Sequence, residues 1–202
     1  MKFLSTAAAA MALCASAPSF ATVLTFETVP SFTSIGNFYN GGAGGSLGAA
    51  FSGDAIALQN DALGPYFSNA PSPVGVMTAV GSDATLNVAA GFSQFGFWYS
   101  ASQAVTGGVN VYSGLDGTGT LLASFDLGNN AQSNGCTDSP YCNFSELTGG
   151  LATGLAYSIT FGGAAFVAAF DNVSFVPEPS SLALMGGALL ALVGAAKRRR
   201  NS

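Results

Sequence analysis

Between Lys2 and Lys197 the chain holds no lysine, arginine or histidine. All ten acids fall inside that stretch, nine of them from Glu27 to Asp171, so residues 22–176 carry nine negative charges and no positive one. Such a domain cannot form an internal salt bridge. Its stability rests on burial, backbone hydrogen bonds and any cation it binds, and carboxylates without competing ammonium groups suit a hard ion such as calcium. The same feature removes whole classes of function. Without cations the domain cannot neutralise phosphates, so no nucleic-acid partner is expected. It has no histidine for a catalytic triad or an imidazole zinc site, and no lysine for a Schiff base.

The basic residues are confined to the ends, and there they have a pattern. Lys2 precedes the uncharged apolar run Phe3–Leu13. Pro18 then breaks the run, and Ser19-Phe20-Ala21 sets small residues at −3 and −1 of a cleavage site. Residues 1–21 therefore read as a secretory signal peptide cut after Ala21. Cys14 follows the bulky Leu13, which argues against a lipoprotein signal. At the other end Pro177-Glu178-Pro179 is followed by the 17 uncharged residues 180–196, then Lys197, Arg198, Arg199 and Arg200. At about 1.5 Å per residue that apolar segment spans roughly 26 Å as a helix, enough for a bilayer core. The basic cluster acts as a membrane stop that stays in the cytoplasm, leaving residues 22–176 outside.

Three parts in this order resemble the PEP-CTERM sorting signal: Pro177-Glu178-Pro179, an apolar helix, and the basic end Lys197–Arg200. The resemblance covers residues 177–202, with Val176 just before it. It implies export by a Gram-negative bacterium that makes extracellular polysaccharide. It also implies recognition by an exosortase-type membrane protease. The tail is then a transient inner-membrane anchor, and the processed protein belongs at the cell surface or outside the cell.

Residues 22–176 make one domain-sized unit. Strands are expected at 23–27, 49–51, 55–59, 84–89, 95–99, 109–111, 121–125, 157–161, 166–170 and 173–175. Phe95, Phe97 and Tyr99 share one face of their strand. Ser113–Gly119 contains Asp116-Gly117 and closes a β-hairpin. Many short strands without a helical stripe predict an all-β antiparallel sandwich or jelly roll, preceded by the signal-peptide helix and followed by a single transmembrane helix. The segments Asn37–Gly44, Ala90-Gly91-Phe92, Val111–Gly114, Gly117–Ala123 and Phe170–Val173 also resemble a family of exported domains of unknown function found with this tail. That resemblance implies a jelly-roll-like sandwich and brings no catalytic residues.

Four candidate features stand out. Glu27, near the first strand, and Asp171, near the last, lie at one end of the sheet if the terminal strands pair. With backbone carbonyls they could hold a structural calcium ion; the alternative is two solvated strand-end acids. Cys136 and Cys142 are expected to form a disulfide closing a small loop. Trp98 and Tyr99 continue an alternating strand and read as core more readily than as a sugar-stacking surface. Tyr66 and Phe67, in the Pro-flanked loop 65–73, read as a more exposed aromatic platform.

Two functions follow from different classes. One is a non-enzymatic surface or matrix protein associated with extracellular polysaccharide. The other is a secreted glycan-active hydrolase using an Asp/Glu pair, which needs two convergent carboxylates, one with a raised pKa.

Overall fold

The computed structural model describes residues 21–177. The expected sandwich forms, built on two long strands that each thread through several pairings. Twelve strands are present among the described residues: β1 (Thr22–Leu24), β2 (Asn40–Gly42), β3 (Gly45–Ser46), β4 (Ala49–Phe51), β5 (Ala55–Gln59), β6 (Gly75–Ala79), β7 (Thr85–Ala101), β8 (Val105–Tyr112), β9 (Leu121–Leu127), β10 (Ser145–Gly150), β11 (Ala156–Thr160) and β12 (Ala168–Pro177). All pairings between these strands are antiparallel.

The 17-residue β7 belongs to both halves of the sandwich. Its first part, 85–88, pairs with β4 and β11. Its second part, 92–101, lies between β12 and β10. The switch falls at Gly91, whose φ of +74° is open to glycine and strained for other residues. A side chain there would also press on Leu155 and Tyr157. The sequence separates 84–89 from 95–99, but the structure joins them, because one glycine bends the strand without ending its pairing. Likewise 166–170 and 173–175 are one strand, β12, with a bulge between Asp171 and Ser174 where Asn172 takes φ +46°.

Several expected strand bounds shift, and four strands, β2, β3, β6 and β10, were not expected. The first strand stops at Leu24, since Phe26 turns to φ +61° and sends its ring, fully buried, into the core. Phe166 lies outside β12 and is 69% exposed. β6 was hidden because Gly75–Ala79 is buried on both faces and so does not alternate. β10 was hidden because Ser145–Gly150 has almost no apolar side chains. The β8–β9 hairpin forms at the expected Asp-Gly turn, with Val111 opposite Ala123.

Aromatic rings hold the core together. Phe97 on β7 meets Phe170 on β12 at 5.7 Å, Phe161 at 6.1 Å and Phe125 on β9 at 6.5 Å, all edge to face. Full burial of such a ring contributes about 2–3 kcal/mol. A second, smaller cluster lies on the other face of β5, β6 and β12. There Leu58, Val76 and Ala169 are covered by Phe67 and flanked by Tyr66, Ala70, Tyr141 and Phe144. Phe67 is 1% exposed, so the expected Tyr66–Phe67 platform is corrected: Phe67 is the plug of this cluster, and only Tyr66 reaches the surface.

Candidate functional site

Glu27 and Asp171 meet around one short loop. β1 pairs with β12, with Leu24 opposite Val173, which carries both acids to the same end of the sheet. Glu27 Oε1 accepts hydrogen bonds from the amides of Val74 (2.9 Å) and Gly75 (3.1 Å). Asp171 Oδ2 accepts from the Ser72 amide at 2.7 Å, and its Oδ1 from the Asn172 amide at 2.7 Å. Ser72 thus seals Asp171, which is 0% exposed. Burial lifts the Asp171 carboxyl from 3.8 to about 6, against the opposing pull of the Ser72 and Asn172 hydrogen bonds.

The surroundings of this pair are rich in oxygen. Ser72 Oγ lies 2.5 Å from Asp171 Oδ1 and 2.9 Å from the Thr25 carbonyl, yet one hydroxyl has one proton for two acceptors. Asn172 Oδ1 is buried with no hydrogen-bond partner. Two carboxylates, a hydroxyl, a carbonyl and an orphaned amide oxygen are the donor types that a calcium ion takes. The residues present fit such an ion in kind.

Four other acids cap backbone or side-chain amides. Asp54 Oδ2 accepts from the Asp83 amide (2.9 Å), Asp126 Oδ1 from Gly107 (2.8 Å), Asp61 Oδ1 from Leu63 (2.8 Å) and Asp116 Oδ1 from the Asn87 side chain (2.6 Å). In a domain without ammonium groups, amide dipoles do the neutralising that salt bridges do elsewhere. Sequence reasoning missed this role; Asp54 and Asp116 each adjoin a glycine, but Asp126 lies within β9 and carries no such signal.

A groove of about 500 Å³ opens across the outer rows of β12, β7 and β10. Ser174, Gly96 and Thr148 form one row in register, and Val176, Gln94 and Gly150 the next. Gly96 makes the floor: a Cβ there would sit 3.2 Å from both Ser174 and Thr148. Ala21 and Val176 line the same groove, so the expected leader cleavage point and the start of the tail lie together. Pro177 is the last residue of β12, aligned with Phe92. Glu178, Pro179, residues 180–196, Lys197, Arg198, Arg199 and Arg200 lie outside the described residues, as does the signal peptide before Ala21. Among the described residues no helix is long and apolar enough to cross a membrane.

Cys136 and Cys142 are disulfide-bonded, with Cα atoms 5.9 Å apart. Asp138 stands beside them, but sulfurs joined to each other are not thiolate ligands. The bridge shapes the loop that covers Phe67: Asn69 donates to the Cys142 carbonyl at 3.1 Å, and the Ser68 amide to Tyr141 at 3.0 Å. Tyr99 packs against the core, while Trp98 is half-buried on the opposite face, in register with Glu146 and Asp171.

These features define an all-β sandwich protein with a C-terminal sorting signal. Residues 175–200 match the PEP-CTERM protein-sorting motif, and the protein is accordingly an exported one and an exosortase substrate. No curated protein matches the chain. Among solved structures it is similar to the K2 cleaved adhesin domain of Lys-gingipain, at 14% identity and TM-score 0.44, covering 78% of this chain and 98% of that one. It is also similar to a family 6 carbohydrate-binding module, at 12% identity and TM-score 0.42, covering 78% and 94%. A family 29 carbohydrate-binding module from Piromyces equi follows, at 11% identity and TM-score 0.39, covering 78% and 91%. At these TM-scores the likenesses carry no argument about function.

Proposed function

We propose that this is a non-enzymatic surface or matrix protein, held in the inner membrane by its tail until an exosortase-type protease releases it, and associated with extracellular polysaccharide once outside. The observation that carries the non-enzymatic reading is the fate of the carboxylates. Glu27 and Asp171 are the convergent pair, and Asp171 has the raised pKa that a general acid needs. Asp171 is nonetheless sealed beneath Ser72 and cannot touch a substrate. The other acids named above hold loops. The exported protein should therefore bind glycans without shortening them. Incubation with a panel of neutral and acidic polysaccharides, followed by chain-length analysis, tests this. Cleavage that vanishes in Asp171→Asn or Glu27→Gln would establish the hydrolase instead.

A structural calcium ion held by Glu27 and Asp171 belongs to the same proposal. It would tie the first and last strands to the 72–75 loop and would take no part in chemistry.

A further inference from the structure

The Ser31–Ile35 segment lies along the outer edge of β5; Ile35 is buried, while Phe32 faces water. Phe32 has φ +58° and is 53% exposed. The left-handed region costs a bulky residue about 1–2 kcal/mol. For Phe26, also at positive φ, full burial offsets that cost; for Phe32 it does not. The strain is imposed by hydrogen bonds on either side: the Phe32 amide donates to the Ala57 carbonyl at 2.8 Å, and the Ala57 amide to the Thr33 carbonyl at 3.0 Å. Phe166 shares the strain and exposure, at φ +64° and 69% exposed, so what singles Phe32 out is its ring partner.

Among the described residues the Phe32 ring has one partner ring. Tyr66 stands at 5.4 Å and 89° to it, so the two faces make a corner. Tyr66 is itself fixed: its amide donates to Asn60 Oδ1 at 2.8 Å and its hydroxyl to Asp61 Oδ1 at 3.2 Å. Leu63, 87% exposed, lies in the same loop. The arrangement is a rigid pair of perpendicular aromatic faces with a carboxylate at the rim. Pyranose rings have the matching chemistry, apolar C–H faces edged by hydroxyl donors, and two rings are far short of the roughly 800 Å² per partner of a stable protein interface.

We infer that the Phe32–Tyr66 corner, rimmed by Asp61, is a binding site for a neutral glycan. Charge decides the class: the carboxylate at the rim and a domain of nine acids without a base repel uronate or sulfated polymers. This rests on the polysaccharide reading above and adds the site and the kind of sugar.

The test uses the full chain in a detergent without a sugar headgroup, titrated with neutral glucan, mannan, galactan and xylan oligosaccharides and with a polyuronate. Three variants are compared: Phe32→Asn, which suits the left-handed backbone and removes the ring; Tyr66→Ala; and Phe166→Ala, an exposed aromatic with no ring partner among the described residues. Loss of one ring should weaken neutral-glycan binding about tenfold. Phe166→Ala and the polyuronate should show no effect and no binding, and the Phe32→Asn melting temperature should not fall. Wild-type binding that survives both Phe32→Asn and Tyr66→Ala would overturn this site and leave the polysaccharide reading standing. No binding to any neutral glycan would overturn both.

Discussion

Thr22 stands opposite Phe175 in the β1–β12 ladder, so the first residue after the expected leader cut lies beside the strand that runs into the sorting tail. Ala21 and Val176 also line one groove. Because Phe175 is paired on one side with Thr22 and on the other with Phe95, residues before Val176 are not free to enter a protease.

Replacing Pro177-Glu178-Pro179 with alanines should leave export intact and block release. A Pro-x-Pro sequence fixes φ and disfavours helix, which suits a chain entering a protease cleft. Mass spectrometry of the protein from its native host is the check. Wild-type chains that end at Ser202, like those of the alanine variant, would make the tail a plain anchor.

Serine at Cys136 and Cys142 together should lower stability by about 2 kcal/mol, the order expected for opening so short a loop. The loss should fall on the cover over Phe67, so proteolysis near residues 66–70 should accelerate before the core melts. Equal protection of that segment in both proteins would contradict the bracing role.

Chelator should lower the melting temperature relative to millimolar calcium, and Asp171→Ala should abolish the difference. An ion that binds only the folded state stabilises it by about 2.7 kcal/mol at a hundred times its Kd. Coincident wild-type curves would retire the calcium proposal and leave the pair capped by amides alone.

Measured in chelator, the pH profile should carry the sign of Asp171. Its folded pKa of about 6 lies above the ordinary 3.8, so the folded state holds the proton more tightly than the unfolded chain. The contribution to stability is complete below about pH 4 and is lost as pH rises through about 6; the full shift corresponds to about 3 kcal/mol. Asp171→Asn should flatten that part of the profile. A wild type that gains stability from pH 4 to 6, relative to the variant, would show the carboxylate to be favoured by its hydrogen bonds over its burial.

The sequence alone determined what short-range patterns can encode. A cation-free stretch bounded by basic ends, a Pro-Glu-Pro before an apolar run, and two cysteines six residues apart are local facts that need no register. Alternation at 95–99 and the Asp116-Gly117 turn likewise predict the buried face of β7 and the β8–β9 hairpin, because period and turn chemistry belong to neighbouring residues. The meeting of Glu27 and Asp171 was legible only through the assumption that the end strands pair.

Tertiary structure decided what depends on partners far away in the chain. Gly91 could end a strand or bend one, and β4, β10, β11 and β12 pairing along β7 selected the bend. Phe67 and Phe32 are both aromatic residues in turn-rich segments. One became a plug because the disulfide-shaped loop closes over it, the other a surface ring because β5 clamps its backbone outward. The acids show the same division: their number and the lack of cations are written in the sequence, but which amide neutralises each is set by the loop that the fold brings within about 3 Å.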